Sequence, residues 1–377
     1  MASNIHRRDW LKQSTLAALG IGFSLRSLGG EDYLPRELGS ETGLINLGSN
    51  ENPYGLAPGA KKAISDLISS VHRYQYNIPA LQTFRKELAE YYGVTVDHIL
   101  VTPGSGEALN LMARAYSQGN LVTATPTFGI LPNTAKKIGV AVKEIPLDNK
   151  KIHDLDALLK AIDANTSQVY ICNPANPTGT IVQPAALKAF CEEASRRTMV
   201  SIDEAYIDFL DAPYNESMLS LVKSGNKNIV IIRTFSKIHA MAGMRVGFIL
   251  AHPDTIKTLA ANYFGNSNFC MSALSMTAAM ASLKDQSHSV SSKQKNAAAR
   301  EFTTKSLQEL GYHCIPSYTN FLFFHLNNYQ GDFAKDMLAK NVLLRSHDLP
   351  DGKWCRVSIG TMEEMKKFVE IMKGVPK

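Results

Sequence analysis

The sequence has few cysteines and lacks metal-binding motifs. Its five cysteines form no C-x-x-C pair and no even-numbered set, so neither a zinc site nor a disulfide framework is indicated. We expect all five to be buried free thiols that pack as small hydrophobic groups. The ten histidines show no ligand spacing such as H-E-x-x-H, so the sequence predicts no metal.

Long hydrophobic runs and concentrated basic stretches are also missing. A membrane-spanning helix needs roughly 18 or more consecutive apolar residues, and no run reaches that length, so we predict no membrane span in the mature chain. The net charge of +6 is not gathered into basic runs with interleaved aromatic residues, which argues against nucleic-acid binding. A chain of 377 residues with 45% hydrophobic composition can bury a large core in two domains.

The first thirty residues differ in character from the rest. The stretch "HRRDWLKQSTLAALGIGFSL" begins with Arg7 and Arg8 and continues into a short, weakly apolar segment. That order is typical of a signal peptide, and the pattern R-R-x-W-L-K resembles a twin-arginine export signal. We therefore predict a signal over residues 1–30 and a periplasmic protein. An amphipathic helix with a chance arginine pair is the alternative, and the protein would then be cytoplasmic.

Helical and strand patterns alternate from about residue 78 to residue 260. Short apolar stretches such as "SQVYICNP" and "KNIVIIRTFS" read as buried strands, and "PALQTFRKELAEYYG" reads as an amphipathic helix that ends at Gly93. This alternation predicts an α/β fold with a mostly parallel sheet between helices. We place a large domain at 61–264 and a smaller α+β domain at 265–377. Residues 31–60 would form an N-terminal segment that joins the small domain.

Several chemically active residues follow directly after predicted strands, where parallel sheets bind ligands. In "TPGSGEAL" two glycines precede a helix, whose free N–H groups suit an anion, although a plain turn is as good a reading of this motif alone. In "TFSKIHAMAGMR" the hydroxyl groups of Thr234 and Ser236 and the guanidinium of Arg245 would complete a phosphate site. Lys237, between them, is suited to form a Schiff base.

Three further residues point toward the same strand ends. Asp203 ends the apolar strand "VSID" and would need a cationic partner, such as a protonated ring nitrogen. Asn176 lies in the rigid turn "NPANPTG", which can include a cis proline. Phe128 in "TPTFG" could stack on an aromatic ring, although an aromatic residue there is more often part of a core. A phosphate, an aldehyde and a protonated ring nitrogen together describe pyridoxal 5'-phosphate.

The ordered motifs "SNENPYG", "GSGEAL", "NPANPTG", "DEAYIDF", "RTFSK", "GMRVGF" and "CRVSIGT" resemble fold-type I pyridoxal-phosphate aminotransferases. The resemblance extends over roughly residues 45 to 375 and is closest to the histidinol-phosphate aminotransferase subgroup. It implies a large domain with a mostly parallel seven-stranded sheet between helices, plus a smaller α+β domain. It also implies a homodimer with shared active sites.

The resemblance further implies a role for each matching residue. Lys237 would carry the cofactor as an aldimine and move protons, with Asp203 and Tyr206 as the other catalytic residues. The cofactor-binding set would be Tyr74 from the neighbouring subunit, Ser105, Gly106, Glu107, Phe128, Asn176, Asp203, Tyr206, Thr234, Ser236, Lys237 and Arg245. The substrate-binding set would be Asn52, Arg345 and Arg356. Tyr76 is a rival to Tyr74. Ile238 and His239 depart from the family pattern, and we expect both near the substrate.

The implied activity is transfer of an amino group between an L-amino acid, or histidinol phosphate, and a 2-oxo acid such as 2-oxoglutarate. Two alternatives stay open at this point. One is a decarboxylase or racemase that uses the same fold and cofactor. The other is a pyridoxal-phosphate-binding protein without catalytic activity. The sequence does not identify the amino donor.

Overall fold

The computed structural model describes residues 43–73, 79–265 and 270–376. The predicted export segment, Tyr74 and Tyr76 lie outside the described residues. All elements reported below belong to one compact unit, Ile45–Lys377. The domain limits inferred from the sequence stay predictions.

A seven-stranded sheet lies at the centre of the larger part of the fold. Its strands in chain order are β2 Ile99–Thr102, β3 Asn120–Thr125, β4 Ala141–Pro146, β5 Thr166–Cys172, β6 Met199–Asp203, β7 Ile229–Thr234 and β8 Gly247–Ala251. The spatial order is β2-β8-β7-β6-β5-β3-β4. Strand β8 runs antiparallel to both of its neighbours, and all other pairs are parallel. The predicted α/β fold with a mostly parallel seven-stranded sheet is confirmed.

Helices cover both faces of this sheet. They are α1 Pro58–Leu67, α2 Pro79–Tyr92, α3 Ser105–Ala115, α4 Ile130–Lys137, α5 Leu155–Ala161, α6 Pro184–Ala194, α7 Pro213–Glu216, α8 Leu219–Lys223, α9 Pro253–Leu259 and α10 Ala273–Lys284, with a π-helical turn at Ala260–Phe264 and 3-10 turns at Ile68–Ser70, Val96–His98, Ile207–Phe209 and Ala242–Met244. Successive strand side chains point to opposite faces. Ile231 packs in one core with Phe84, and Ile232 packs in the other with Leu109. Burial on both sides explains the continuous apolar strand sequences.

The second sheet of the fold has four antiparallel strands. Its strands are β9 Cys314–Ile315, β10 Phe321–His325, β12 Arg345–Leu349 and β13 Gly352–Ser358, in the order β12-β13-β10-β9. The accompanying helices are α11 Gln286–Glu309, α12 Phe333–Leu338 and α13 Met362–Lys373. Strand β1 Ile45–Asn46 pairs in parallel with β11 Val342–Leu343. One face of the sheet forms a core with Phe324, Val357 and Phe368, which leaves the other face for polar and aromatic side chains.

The structure corrects one expectation about the cysteines and confirms one about the end of helix α2. Cys270 is exposed and the other four cysteines are buried, so the expectation of five buried thiols is wrong for Cys270. Gly93 follows the last residue of α2 with φ of 62°, a left-handed conformation that favours glycine, as predicted. None of the described helices is both long and apolar enough to span a membrane.

Candidate active site

Lys237 lies in the loop that follows β7, at the carboxyl edge of the large sheet. Its Nζ donates to the backbone oxygens of Asn50, at 3.1 Å, and Ser49, at 3.3 Å. The same atom lies 5.6 Å from the centre of the Tyr206 ring. Burial of the amine, together with the nearby Arg356 guanidinium, lowers the pKa of Lys237 to about 8. This amine can therefore lose its proton close to neutral pH and act as a nucleophile.

The Asp203 carboxyl group ends the neighbouring strand β6 and is 2% exposed. The Ala205 N–H donates to Oδ1 at 3.1 Å, and the Tyr170 hydroxyl donates to Oδ2 at 3.2 Å. Burial raises the pKa of Asp203 to about 6, although both donors and the Lys237 ammonium oppose the shift. A carboxylate in this position is stabilised by a cationic ligand group beside it.

Tyr206 and Asn176 form a buried hydrogen-bonded pair next to the lysine. The Asn176 Nδ2 donates to the Tyr206 hydroxyl oxygen at 3.4 Å, and Arg356 Nη1 donates to Asn176 Oδ1 at 2.8 Å. The peptide bonds before Pro174 and Pro177 are both cis. The guanidinium thus fixes which end of the Asn176 amide faces Tyr206.

The glycine turn before α3 forms one wall of an anion site. Gly104 has φ of 83°, and a Cβ added there would lie 2.3 Å from Arg245 Nη2. The guanidinium therefore packs directly against the backbone at the start of this helix. Ser105 and Gly106 are the first two residues of α3, and their N–H groups are among those that an α-helix leaves without an internal partner.

Hydroxyl groups complete the anion site on the side of β7. Arg245 Nη1 donates to Ser236 Oγ at 3.4 Å and to the Ala242 backbone oxygen at 2.7 Å. The Thr234 hydroxyl donates to Ser236 Oγ at 2.9 Å. A helix start, two hydroxyl groups and a guanidinium within reach of one another suit a phosphate group.

Arg345 and Arg356 are directly opposite each other on β12 and β13. Arg356 Nη2 donates to the Gly48 backbone oxygen at 2.8 Å, and Arg345 Nε approaches the same oxygen at 3.4 Å. Arg356 is 8% exposed and stands over the Phe321 ring at 5.8 Å. Two guanidinium groups that converge on one carbonyl concentrate positive charge where an anionic part of a substrate would bind.

Comparison with known proteins places this geometry in a family. The model of the family described as aminotransferase class I and II matches residues 42–372. The chain belongs to this family. A histidinol-phosphate aminotransferase of Halalkalibacterium halodurans is 35% identical over 334 residues, which is 87% of this chain and 88% of the relative. The protein of the same name from Bacillus subtilis strain 168 is 34% identical over 340 residues, 88% of this chain and 92% of the relative.

A solved structure supports the fold of this aminotransferase. The histidinol-phosphate aminotransferase of Sinorhizobium meliloti, in complex with pyridoxal-5'-phosphate, matches with a TM-score of 0.81. That match covers 92% of this chain and 98% of the solved chain at 23% sequence identity. The recognition of the chain from its ordered motifs is confirmed for the family by the family model and the histidinol-phosphate aminotransferase relatives, and for the fold by this structure.

The cofactor of this aminotransferase is pyridoxal 5'-phosphate, and the described residues fit its functional groups. Lys237 suits the aldehyde, and Asp203 suits the ring nitrogen. Tyr206 and Asn176 suit the ring hydroxyl. Gly104 and the Arg245 guanidinium line a cradle that a Cβ at position 104 would fill. A cradle of this kind, lined by backbone at the start of a helix, suits a phosphate group.

The structure locates other predicted side chains without testing their roles. Glu107 pairs its carboxylate with Arg114 Nη2 at 2.7 Å, so only its backbone N–H is left for the anion site. Asn52 Nδ2 donates to the Ile238 backbone oxygen at 2.8 Å, which ties it to the lysine loop. Phe128 is partly buried against the core that contains Leu109. Stacking by Phe128 and substrate binding by Asn52 stay predictions.

Three residues escaped the sequence analysis. Asn50 contacts both Lys237 and Tyr206, and Tyr170 donates to Asp203. His347 has a buried Nε2 with no hydrogen-bond partner among the described residues. Burial and the guanidinium groups beside it lower the pKa of His347 to about 4, so it is neutral at pH 7. Only Asn50 carried a usable signal, because it stands in the "SNENP" motif next to the predicted Asn52.

The two residues after the lysine differ in location. Ile238 packs with Tyr206 and Phe321 and is 3% exposed, so it borders the site. His239 instead places Nδ1 2.9 Å from Ser282 Oγ, and its ring packs on Phe235 at 4.6 Å. His239 therefore belongs to the core between the lysine loop and α10. The expectation that it lies near the substrate is wrong, because the chain turns after the lysine.

Proposed function

We propose that this pyridoxal-phosphate aminotransferase takes its amino group from a donor that carries an anionic group, such as histidinol phosphate. The amino group is delivered to a 2-oxo acid such as 2-oxoglutarate. The observation that carries this proposal is the convergence of Arg345 and Arg356 on the Gly48 oxygen. Two guanidinium groups match a phosphate dianion, and Arg356 alone can bind the carboxylate of an amino acid.

Each residue of the site would have a separate role in the reaction. Arg356 binds the donor, and its bond to Asn176 couples substrate binding to the cofactor pocket. Pyridoxal 5'-phosphate, when bound, supplies an electron sink for charge that develops at the donor's α-carbon. Lys237 Nζ, whose pKa is about 8, can hold the proton that leaves this carbon and release it again. Asp203 keeps a negative charge in a buried position that favours a protonated ring nitrogen.

A comparison of matched donors tests the proposal. Glutamate formation from 2-oxoglutarate is measured with histidinol phosphate, with histidinol, which lacks the phosphate, and with a panel of L-amino acids. We expect histidinol phosphate to have the higher kcat/KM, and Arg345→Gln to raise its KM by roughly tenfold or more, the effect of losing a charged hydrogen bond. Lys237→Ala should lower kcat by at least about 10⁴-fold.

Control measurements separate this proposal from its alternatives. Lys62→Gln changes an exposed lysine and should leave all donors unaffected. Equal kcat/KM for histidinol and histidinol phosphate would contradict a phosphate-bearing donor. Carbon dioxide, or inverted amino acid without keto-acid product, would instead indicate a decarboxylase or a racemase. A bound cofactor that reacts with no donor would indicate a binding protein.

We also propose that the enzyme is a homodimer with shared active sites and that residues 1–30 direct its export. The support for both is the sequence resemblance, since a twin-arginine route carries folded, cofactor-loaded proteins. Cell fractionation of the native chain and of the Arg7→Lys, Arg8→Lys double variant tests export. A periplasmic location that depends on both arginines is expected. That result would leave the proposed anionic donor in place but favour one other than histidinol phosphate, because histidine biosynthesis outside the cytoplasm serves no purpose. A cytoplasmic location of both chains would contradict export and leave histidinol phosphate as the expected donor.

A further inference from the structure

Asn50 connects the catalytic lysine, Tyr206 and the smaller sheet through five hydrogen bonds. It is 1% exposed and has φ of 52°, a left-handed conformation. Its backbone oxygen accepts from Lys237 Nζ at 3.1 Å and from Asn320 Nδ2 at 3.0 Å. Its side-chain Nδ2 donates to the Tyr206 hydroxyl oxygen at 3.0 Å. The other two bonds join it to Ser358 of β13.

The bonds to Ser358 determine the orientation of the Asn50 amide. The backbone N–H of Asn50 donates to Ser358 Oγ at 2.8 Å, so this oxygen acts as an acceptor. In the structure the Ser358 hydroxyl donates its own proton to Asn50 Oδ1, which lies 3.0 Å away. Since Oδ1 is held as an acceptor, Nδ2 must be the atom that faces Tyr206. The amide therefore presents an N–H to the phenol and not a carbonyl oxygen.

Tyr206 consequently receives two amide donors on its oxygen. Asn50 supplies one, and Asn176 supplies the other, with its amide oriented by Arg356. A phenol oxygen that accepts two N–H groups has only its own O–H left to direct elsewhere. Among the described residues no acceptor for that proton lies within hydrogen-bond distance, so it is available to a ligand.

We propose that Asn50 is a positioning residue that makes Tyr206 a hydrogen-bond donor, and never an acceptor, toward the ring oxygen of the cofactor. A donor at this oxygen stabilises its anionic form. A ring oxygen whose negative charge is taken up by this hydrogen bond attracts the proton of the linkage between Lys237 and the cofactor less strongly, which favours the unprotonated linkage. Asn50 therefore tunes the proton affinity of this linkage without touching the cofactor. The inference does not depend on which amino donor the enzyme uses.

Two variants test this role in the cofactor-loaded enzyme. Asn50→Asp keeps the side-chain shape and offers a carboxylate oxygen that accepts the Tyr206 proton. Asn50→Gly deletes the side chain but keeps the backbone oxygen that holds Lys237. Aspartate and glycine both tolerate the positive φ of position 50. The readout is the pKa of the linkage, measured by absorbance titration. We expect Asn50→Asp to raise that pKa by about one unit or more, a tenfold gain in proton affinity, and Asn50→Gly to raise it by less.

A Tyr206→Phe background distinguishes an effect of Asn50→Asp that acts through the Tyr206 hydroxyl from a direct effect of the added carboxylate charge on the linkage pKa. A carboxylate at position 50 would also raise the linkage pKa through its charge alone. If Asn50 acts through the phenol, the shift caused by Asn50→Asp shrinks by at least half when Tyr206 is phenylalanine. An equal shift in both backgrounds would overturn the proposal, and so would an unchanged linkage pKa in Asn50→Gly.

Ser358→Ala provides a second test if the position-50 variants fold poorly. It removes the hydroxyl that bonds both the side-chain oxygen and the backbone N–H of Asn50, and it leaves the residue at position 50 unchanged. We expect a smaller rise in the linkage pKa in the same direction, which Tyr206→Phe abolishes. Loss of thermal stability with no change in the titration would show a structural role only and would overturn the proposal.

Discussion

The Asp203 carboxyl group is buried at the end of β6, and burial raises its pKa from 3.8 to about 6. A group with a raised folded-state pKa stabilises the fold fully only below its unfolded pKa, near 3.8. That stability is lost as pH rises through about 6. Even with the Lys237 ammonium nearby, the ionised group therefore costs about 3 kcal/mol of folding free energy above pH 7 when no cationic ligand is bound. A cationic ligand therefore favours the ionised form of Asp203, whereas folding without the ligand favours the protonated form.

Asp203→Asn should separate the effect of the carboxyl group on folding stability from its effect on activity. The amide can still accept from the Ala205 N–H and contact the Tyr170 hydroxyl, but it carries no charge. We expect the cofactor-free variant to unfold at higher urea concentration than the wild type at pH 8, by about 2–3 kcal/mol in free energy. The difference should nearly vanish at pH 4. The same variant should lose most of its transaminase activity. Equal urea midpoints at pH 8 would contradict the buried-charge explanation.

Gly104 is the residue on which the phosphate cradle depends most directly. A Cβ there would lie 2.3 Å from Arg245 Nη2, and the backbone φ of 83° disfavours alanine. We expect Gly104→Ala to displace the guanidinium and to raise the dissociation constant of pyridoxal 5'-phosphate at least tenfold, measured by absorbance titration. Gly243→Ala, two residues before Arg245, meets nothing within 4 Å and should bind normally. Equal affinities of the two variants would contradict the cradle.

The sequence predicted where the candidate residues Lys237 and Asp203 lie in the fold better than it predicted the hydrogen bonds of the site. Lys237 and Asp203 were recognisable because each follows a buried apolar strand, where a charge needs a functional reason. The bonds of Asn50 were not, because they reach Tyr206, 156 positions away, and Ser358, 308 positions away. Their directions depend on which atoms meet after folding, and no local pattern encodes that.

At the level of elements, buried strands were predicted and some exposed or small-residue elements were missed. Strand β4 lies at the edge of the sheet, and all its side chains are exposed or only partly buried, including Lys143 and Glu144, so it lacks the buried apolar run of a central strand. Helix α10 is built largely from alanine and serine, and its buried residues do not stand out by hydrophobic spacing. Both elements depend on tertiary packing rather than on local pattern.

A buried ion pair holds β6 and β7 together beneath the site. Arg233 Nη2 lies 2.7 Å from Glu204 Oε2, and both side chains are at most 5% exposed. Ser217 and the Met218 N–H also donate to the carboxylate. Arg233 directly precedes Thr234 and Glu204 directly follows Asp203, two residues predicted to bind the cofactor. The pair therefore fixes the ends of two strands on which the site depends.

Glu204→Gln should cost far more stability than loss of a surface pair. The substitution leaves the buried Arg233 guanidinium with Asp208 as its remaining carboxylate, 3.6 Å from Nη1 and 28% exposed, and we expect a loss of about 3 kcal/mol in the free energy of unfolding. The control is Lys62→Gln, whose partner Asp66 is exposed, with an expected change below about 1 kcal/mol. Urea denaturation at pH 7 measures both. Similar losses in the two variants would show that the buried pair is not what holds the strands.

At the scale of the whole molecule, shared active sites make a prediction about mixed dimers. The resemblance implies that Tyr74 of one subunit reaches the cofactor phosphate of the other, so Tyr74→Ala and Lys237→Ala chains should each be impaired. A dimer with one chain of each kind would contain one complete site, built from the intact Lys237 of one chain and the intact Tyr74 of the other. Random pairing of equal amounts should then restore about a quarter of wild-type activity.

The experiment is to refold or co-express the two variants together and to compare transaminase activity with that of the separately prepared variants. Tyr76→Ala in place of Tyr74→Ala distinguishes the rival tyrosine, because only the residue that crosses between subunits can be complemented. If each site were built from a single chain, the mixed dimer would hold one site without the lysine and one without the tyrosine. Activity would then equal the average of the separate variants, and the homodimer with shared sites would be ruled out.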